Sequence, residues 1–527
     1  MSTSERRKFL KLAGVGAALA ASASAADVST AGAPDGAIFD VRKFGAAGDG
    51  KTVDTAAINK TIDAAASAAG GTVYFPAGSY LSFSIHLKSN IALHLDRGAT
   101  VIGAETPAGG SGGYDLPEPN QWDHYQDFGH RHFHNSLIWG EGLENVSILG
   151  PGRIWGKGLS KGYGPGPNVK QPGVGNKSIS LKNCHNVLLR DFSILQGGWF
   201  GILATGVDNF TIDNLTVDTN RDGMDIDCCR NVRVSNCTVN SPWDDGICPK
   251  SSYALGYPRA TEMVTITNCF VTGGYELGTV LDGTYKVIDP AVRIPRTGRI
   301  KMGTESNGGF KNITISNCVF EKCGGLALET VDGAILEDVS ISNITMRDIT
   351  NSPIFLRLGS RMRGPEGRPM GVLRRVIISN VVCSNSRSRF GCIISGIPGH
   401  YIEDVKLSDM YLQFEGGGTK EDAALQAPEK ENGYPEPTMF GTLPDSGFFI
   451  RHVKNIDIGN VEISSEKPDQ RPPFVLDDVQ GAEFLRIKTP QTAGVPAFAL
   501  NNVSNFSVYR SKPVADTQLD HAAEKKL

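Results

Sequence analysis

The sequence lacks an excess of positive charge and has no long hydrophobic run beyond its first residues. Its 52 Lys and Arg are outnumbered by 56 Asp and Glu, so the formal net charge is −4. Proteins that follow phosphate backbones need a basic stripe, so we expect no nucleic-acid partner. Beyond the first 25 residues no stretch reaches the ~20 consecutive apolar residues of a membrane span, and we expect no membrane anchor.

The ten cysteines lack the spacing of a small disulfide scaffold or of a zinc site. Cys237, Cys269 and Cys318 each follow an asparagine in Ser-Asn-Cys or Thr-Asn-Cys, which marks one repeated position. Free cysteine in a core behaves as a small hydrophobe. We therefore expect no metal site among them, and mostly reduced, buried thiols, with bridges between stacked neighbours as the alternative.

Residues 1–25 are typical of an export signal. Basic residues precede an apolar run at 12–21 and a small-residue site at 23–25. The paired arginines at 6 and 7 resemble a twin-arginine signal, and an ordinary secretory signal is the alternative. The sequence predicts a periplasmic or secreted protein.

One short pattern recurs along the chain: an apolar residue, a second one two positions later, Asn or Asp at plus four, and another apolar residue at plus five. It starts at Val187, Phe210, Val232, Val264, Ile313, Val339, Val376, Val405 and Ile456. Alternation at period two marks strands, and the plus-four residue marks a bend. Coils of about two dozen residues cannot hold a core alone, so they must stack.

The repeat predicts an all-β parallel β-helix. The asparagines at the bend should form a hydrogen-bonded ladder; they are Asn214, Asn236, Asn268, Asn317, Asn343 and Asn380. A β-propeller is the alternative, but its blades run longer and more evenly. Residues 55–69 are helical in composition and should cap the open end of the stack.

Residues 36–512 are predicted to form this single domain, as a monomer, followed by a disordered tail at 513–527. Gly/Pro-rich insertions occur at 159–176, 284–298 and 415–447. Long loops on a rigid scaffold shape binding clefts, and walling off one end of the groove would favour exo action.

The repeat also brings acids together. Asp222 lies twelve residues after Phe210, and Asp244 lies twelve after Val232, which predicts one position on successive coils. Stacked strands lie about 4.8 Å apart, so these carboxylates and Asp245 should converge. When unpaired carboxylates lie this near to one another, their repulsion raises the pKa of at least one of them. Glycoside hydrolysis needs such a pair, one protonated acid and one ionised carboxylate. We predict Asp222, Asp244 and Asp245 as catalytic residues.

The same spacing places Glu276 in this column and lets Trp199 offer a face to a sugar ring. Two plainer interpretations compete with catalysis. Alternation of Asp222, Asp225 and Asp227 also fits the outward face of a strand or a calcium cluster. The Asp244-Asp245 pair also fits a simple turn.

These residues resemble glycoside hydrolase family 28, the polygalacturonases, over most of the mature chain. The similar segments are 39–46, 71–78, Asn220-Arg221-Asp222-Gly223-Met224-Asp225 and Asp244-Asp245-Gly246-Ile247-Cys248-Pro249-Lys250. The resemblance implies a right-handed, pectin lyase-like β-helix and an inverting hydrolase of pectic polymers without cofactor. It implies Asp244 as general acid, with Asp222 and Asp245 holding and deprotonating the water. Inverting carboxyl groups stand roughly 6.5–9.5 Å apart, so the side chains should splay.

Two departures from the family concern the substrate. The family's Gly-His-Gly should fall near Gly274-Tyr275-Glu276 or near Thr297-Gly298, and neither has a histidine. Its Arg-Ile-Lys, which resembles a clamp for a galacturonate carboxylate, falls near Ala327-Leu328-Glu329. The Arg299-Ile300-Lys301 string precedes Gly303-Thr304-Glu305-Ser306 and so sits a coil early.

Several interpretations therefore remain open. Either Arg299, Lys301 or Arg357 supplies charge for a galacturonide from another coil, or the leaving sugar is neutral, as rhamnose is in rhamnogalacturonan, which we favour for that subsite. Each cation alternatively serves as a solvated strand-edge charge. A calcium-dependent β-helix lyase and a non-catalytic polysaccharide-binding β-helix are the other functions considered. The candidate substrate-binding residues are Lys250, Tyr275, Glu276, Arg299, Lys301, Glu305, Glu329, Arg357 and Trp199.

Overall fold

The strands stack into three parallel sheets that wind around one core. The computed structural model describes residues 37–107, 112–163 and 168–527, so the predicted signal at 1–25 lies outside the described residues. Each turn of the chain visits the third sheet, then the first, then the second, and each strand pairs in parallel with its equivalent one coil later. The predicted parallel β-helix is confirmed.

The strand bounds follow this order. The first sheet contains β1 (Ile38–Asp40), β3 (Gly71–Phe75), β6 (Ile91–Leu95), β9 (Glu144–Leu149), β12 (His185–Arg190), β15 (Asp208–Asp213), β18 (Arg230–Ser235) and β21 (Thr261–Thr267). The second contains β2 (Asp49–Val53), β4 (Gly78–Ser82), β7 (Ala99–Gly103), β10 (Arg153–Trp155), β13 (Ser193–Leu195), β16 (Thr216–Asp218), β19 (Thr238–Asn240) and β22 (Phe270–Thr272). The third contains β5 (Ile85–His86), β8 (Ile138–Glu141), β11 (Lys177–Lys182), β14 (Phe200–Thr205), β17 (Asp222–Asp227), β20 (Ile247–Lys250), β23 (Ile300–Met302), β25 (Leu326–Thr330), β27 (Ile354–Leu358) and β29 (Cys392–Ser395).

Later strands run on through the bend from one sheet into the next. They are β24 (Phe310–Glu321), β26 (Ile335–Arg347), β28 (Val372–Ser386), β30 (Ile402–Gly416), β31 (Phe448–Lys467), β32 (Phe474–Leu485) and β33 (Phe498–Tyr509). The helices are α1 (Thr55–Ser67) and α2 (Phe128–Arg131), with 3-10 turns at Val41–Phe44, Asp123–Tyr125, Asp422–Ala424 and Pro437–Phe440.

The predicted asparagine ladder forms in part at the bend between the first and second sheets, because Asn214 and Asn236 donate to aspartates and Asn317 donates to Thr267. Asn343 donates to Asn317 at 3.0 Å, and Asn380 donates to Asn343 at 3.2 Å. These residues adopt left-handed backbone angles, as at Asn343 with φ of 57°, a conformation that asparagine tolerates better than most residues. A second ladder, not predicted, runs through Asn145, Asn186 and Asn209 at the entry to the first sheet.

Helix α1 caps the amino-terminal end, as predicted. Ile58, Ile62 and Ala65 are fully buried on its inner face, against β1 and β3. All ten cysteines are among the described residues, and they are buried as free thiols, as expected. None of the helices among the described residues combines the length and hydrophobicity needed to cross a membrane.

The prediction of a disordered tail is wrong. Thr517–Lys526 forms β34, which pairs antiparallel with β33 and closes the carboxyl-terminal edge of the first sheet. Leu519 lies opposite Phe506, and Ala522 lies opposite Val503. The tail looks polar in sequence because its outer face meets solvent, while one short row of apolar side chains covers the last coil. The compact unit therefore extends from Ile38 to Leu527.

Candidate active site

The three predicted catalytic aspartates meet on the outer face of the third sheet. Met224 is level with Ile247, so the register places Asp222 opposite Asp245, not opposite Asp244 as the twelve-residue spacing predicted. Asp218 is level with Asn240, and six residues separate Asn240 from Ile247 where five separate Asp218 from Met224, so this turn is one residue longer and shifts the register by one. Asp244 consequently stands beside the column.

One carboxylate oxygen from each of these aspartates lies within 4.8 Å of the other two. The side chains therefore approach each other more closely than the splayed arrangement that we expected. Asp222 and Asp245 are 2% and 3% exposed, whereas the side chain of Asp244 is 29% exposed. Asp244 is the member of the trio that a ligand can reach directly.

Two cations from the next coil hold Asp245 in its ionised form. Arg299 Nε donates to Asp245 Oδ1 at 2.7 Å, and Lys301 Nζ lies 3.2 Å from Oδ2. Burial by itself raises the pKa of Asp245, but Lys301 and Arg299 outweigh burial and lower this pKa to about 2. Both cations are almost fully buried, which excludes the interpretation as solvated strand-edge charges.

Asp222 has the opposite environment. Burial, followed by the nearby carboxylates of Asp244 and Asp225, raises the pKa of Asp222 well above its ordinary value. The thiol of Cys248 lies 4.0 Å from Asp222 Oδ1. The raised pKa of Asp222 favours its protonated form beside an ionised Asp245, and an acid beside a carboxylate is the pair that glycoside hydrolysis requires.

Arg221 holds Asp244 and covers the predicted sugar platform. Its Nε and Nη2 donate to Asp244 Oδ2 at 3.1 and 2.8 Å, and its guanidinium lies 4.6 Å from the ring centre of Trp199. Trp199 is only 9% exposed, so the prediction that it stacks on substrate is wrong. Tyr163 and Trp243, whose ring centres are 5.6 Å apart and which are 38% and 41% exposed, are the accessible aromatic rings beside Asp244.

A buried ionic network supports the trio from one side. Lys250 Nζ lies 3.3 Å from both Asp225 and Glu305, and 3.0 Å from His130 Nε2. Lys250 and Glu305, predicted as substrate-binding residues, are instead buried partners within this network. Sequence reasoning missed His130, which comes from α2 in an insertion without repeat register and also contacts Asp225 at 3.1 Å.

Glu329 lies next to the cation pair. Its Oε2 is 3.7 Å from Lys301 Nζ and accepts from Thr304 Oγ1 at 3.3 Å. Burial raises its pKa to about 7, although Lys301 and Arg299 oppose the rise. Lys301 pairs with Ala327 in the sheet register, so Arg299-Ile300-Lys301 sits one coil before Ala327-Leu328-Glu329.

Tyr275 and Glu276 do not join the site. The Tyr275 hydroxyl donates to Glu321 Oε2 at 2.5 Å, and Glu276 pairs with Lys286 at 2.8 Å. Both belong to the insertion between β22 and β23, which leaves the path of the coil. The coil resumes near Gly298, whose N–H donates to the Asp244 carbonyl at 2.9 Å, so counting from the repeat placed Glu276 wrongly in the column.

Arg357 is also displaced from the site. It lies one strand beyond Glu329 and is 1% exposed. Its guanidinium donates to Ser395 Oγ at 2.8 Å and to the Glu429 carbonyl at 2.9 Å. Arg357 therefore anchors the insertion at 415–447 and offers no charge to a ligand beside the aspartates.

Two apolar clusters flank the aspartates on the outer face of the third sheet. The first consists of Phe133, Val169, Trp199, Phe200, Leu203 and Ala254, and the second of Ala327, Phe355, Ile393, Phe440, Leu443 and Phe449. Between them lies a cavity of about 390 Å³, whose lining includes Asp244, Asp245, Arg299, Lys301, Tyr434 and Glu436. The insertion at 415–447 supplies Tyr434 and Glu436, as expected for a loop that shapes the cleft.

The acidic trio is spaced closely enough for a hard cation to be bound by its oxygens. However, Asp244 Oδ2 and both oxygens of Asp245 already contact Arg221, Arg299 or Lys301. Among the three aspartates, only the carboxylate of Asp222 has no cation in direct contact. The donor set therefore suits proton chemistry better than the binding of calcium.

Comparisons with known proteins agree with this architecture. Residues 38–118 match the family described as rhamnogalacturonase A/epimerase, pectate lyase-like, and residues 168–284 match the right-handed β-helix region. A probable polygalacturonase of Vitis vinifera is 23% identical over 430 residues, which cover 77% of this chain and 80% of that protein.

Two solved structures share the fold. An exopolygalacturonase from Thermotoga maritima superposes with a TM-score of 0.60 at 17% identity, covering 82% of this chain and 92% of that chain. A family 28 exopolygalacturonase from Yersinia enterocolitica gives 0.58 at 18% identity, covering 90% of this chain and 79% of that chain. These findings confirm the resemblance to polygalacturonases and the right-handed parallel β-helix.

Proposed function

We propose that this protein is a glycoside hydrolase that cleaves a glycosidic bond in a pectic polysaccharide or oligosaccharide. The observation that carries the proposal is the aspartate trio, in which a buried acid with a raised pKa lies beside a carboxylate held ionised by two cations. The polygalacturonase relatives support the pectic substrate.

The exposure of each aspartate supports a division of roles. Asp244, the most exposed, faces the glycosidic oxygen as general acid, and its Oδ1 remains free of Arg221 to carry the proton. Asp222 is the protonated neighbour that resupplies it, and Asp245 is the base that orients and deprotonates the attacking water. Attack by this water inverts the anomeric carbon, which requires the carboxyl groups to move farther apart than the 4.8 Å within which their nearest oxygens lie here. Proton NMR of the first product distinguishes inversion from retention directly.

The apolar clusters on both sides of the aspartates support exo action. Phe200 stands one strand before Asp222, and Ala327 stands one strand after Lys301, and each belongs to an apolar cluster that covers the sheet. A polymer cannot lie across the trio in both directions along such a surface. A chain end can enter the cavity instead, so we propose release of short products from a terminus.

The site favours hydrolysis over the lyase alternative. A lyase of this fold needs a neutral lysine or arginine as base, usually with calcium. Burial tends to lower the pKa of Lys301, but Asp245 and Glu329 hold it well above its ordinary value. Lys301 therefore stays protonated and cannot remove a proton from the sugar.

We also propose export to the periplasm or beyond, supported by the pattern of residues 1–25, and action as a monomer. Cell fractionation of the full chain beside an Arg6→Lys, Arg7→Lys variant tests the export route. Retention of the variant in the cytoplasm is the expected result, and normal export of the variant would favour an ordinary secretory signal.

The decisive experiment is product analysis of the purified protein on homogalacturonan and on rhamnogalacturonan backbone, with a chelator present. We expect saturated short products that disappear in the Asp244→Asn variant. Unsaturated products, or activity lost to the chelator, would favour a lyase. Binding of a polymer without any release of products would favour the non-catalytic β-helix.

A further inference from the structure

The guanidinium of Arg299 donates from all three of its nitrogens to carboxylates of this chain. Besides donating to Asp245 through Nε, it donates through Nη1 and Nη2 to Glu436 Oε1 and Oε2 at 3.2 and 2.6 Å. Asn351 Nδ2 also donates to Glu436 Oε1, at 2.6 Å. A planar fork of this kind is what proteins use to bind a substrate carboxylate in bidentate fashion. Here the carboxylate of Glu436 occupies the place on Arg299 that a substrate carboxylate would take.

Glu436 is fixed in place by the loop that carries it. It immediately precedes the 3-10 turn Pro437–Phe440, and proline restricts the backbone of the residue before it. Phe440 is 2% exposed and packs in the second apolar cluster. The side chain of Glu436 is 26% exposed, so it forms part of the cavity wall and can meet a ligand there.

The other cations of the cavity are paired in the same way. Lys301 contacts Asp245 and Glu329, and Arg221 contacts Asp244. A substrate carboxylate that enters this side of the cavity meets the carboxylate of Glu436, and the cations in the cavity wall, Arg299 and Lys301, are already paired. Binding it would require displacing Glu436 from a buried guanidinium, which leaves a charge without its partner.

We infer that Glu436 is a specificity-determining residue, which occupies Arg299 and so makes the leaving-group side of the cavity select a neutral sugar over a uronate. This inference rests on the proposed function and adds a substrate class to it: a polymer in which a neutral sugar follows the cleaved bond. Specificity then comes from a repulsive element as much as from an attractive one. Removing the carboxylate of Glu436 frees the fork for a carboxylate of the substrate.

The test compares two variants of the same loop. Glu436→Gln removes the charge with little change in shape, and Glu431→Gln removes an exposed charge of that loop whose side chain lies outside the cavity lining. Each is assayed on oligosaccharides with galacturonate or with rhamnose in the leaving position. We expect Glu436→Gln to raise the kcat/KM ratio of galacturonate to rhamnose by about tenfold or more, and Glu431→Gln to leave it unchanged. An unchanged ratio in Glu436→Gln, or a wild type that already prefers galacturonate, would overturn the inference.

A binding measurement separates this inference from the proposed hydrolysis. Calorimetric titration with free galacturonate should detect binding to Glu436→Gln and none to wild type, with galactose as the uncharged control. This outcome supports the role of Glu436 even if neither polymer is cleaved, in which case the proposed hydrolysis alone fails. Equal binding of galacturonate by both proteins contradicts the inference even if hydrolysis is found. If Glu436→Gln does not fold, Glu436→Ala, which also removes the carboxylate, should show the same shift, and no shift there overturns the inference.

Discussion

Replacing Lys301 by methionine tests whether the cation pair keeps Asp245 ionised. Lys301 Nζ lies 3.2 Å from Asp245, and its side chain is 3% exposed. Methionine preserves much of the side-chain volume while it removes the charge. The variant leaves Arg299 as the remaining cation in contact with Asp245, so the pKa of Asp245 should rise.

The size of the effect follows from the pKa. Asp245 has a pKa of about 2 in the fold, against an ordinary value of 3.8. An opposite charge in contact lowers a carboxyl pKa by roughly 1–3 units, and each unit corresponds to about 1.4 kcal/mol. Lys301→Met should therefore lower the free energy of unfolding by roughly 1–4 kcal/mol at neutral pH. Glu329, with a pKa of about 7, can take up a proton and limit the loss.

The loss must depend on pH in a defined direction. Because the folded-state pKa of Asp245 is depressed, the stabilisation is present above its unfolded pKa and disappears as the pH falls from about 4 to about 2. Urea unfolding of wild type and variant should differ most near pH 7 and least near pH 3. Lys286→Met is the matched control, since Lys286 forms an exposed pair with Glu276 and should cost at most about 1 kcal/mol. A cost that is independent of pH, or no larger than that of the control, would refute the reasoning.

Three further predictions address other parts of the molecule. Asp222→Asn removes the buried proton of the trio, so reducing-end assays should show a fall in kcat of about 10²–10⁴-fold, while urea unfolding at neutral pH shows stability equal to or above that of wild type. Burial lowers the pKa of Lys177 to about 7 from 10.5, so wild type should gain stability as the pH rises between those values. In thermal or urea unfolding, Lys177→Met should lose that dependence and be up to roughly 4 kcal/mol more stable near pH 6. Asn343→Val, which breaks two ladder bonds at a φ of 57°, should cost about 2–4 kcal/mol in urea unfolding, and Asn343→Gly clearly less.

The fold was predictable because each coil repeats a local signal. Alternating apolar residues specify the strands, and asparagine at plus four specifies a left-handed bend that other residues adopt only at a cost. Stacking then follows from the short coil length. The register at Asp244 was wrong by one residue because the length of the preceding turn is independent of the strand pattern. A single extra residue there exchanges Asp245 for Asp244 in the column.

The missed features all come from segments without repeat register. His130, Tyr434 and Glu436 reach the site from insertions whose path depends on tertiary packing. Glu276 was assigned to the column because counting along the chain cannot detect where an insertion leaves the coil. Sequence also cannot show which face of an aromatic ring stays open, so the covering of Trp199 by Arg221 was not foreseeable.

The position of the cation pair links these observations to specificity. A shift of Arg-Ile-Lys by one coil moves two cations by about 4.8 Å along the sheet, from a place beyond the cleavage point to direct contact with Asp245. In this position Arg299 and Lys301 contact Asp245, the proposed catalytic base, and both are already paired with carboxylates of this chain. The position that they would occupy in the family's pattern contains Ala327 and Glu329, which bring no positive charge. Under the proposed function, recognition of the leaving sugar then depends on contacts between its hydroxyl groups and polar side chains of the cavity wall, such as Tyr434 and Asn351. Such contacts suit a neutral sugar.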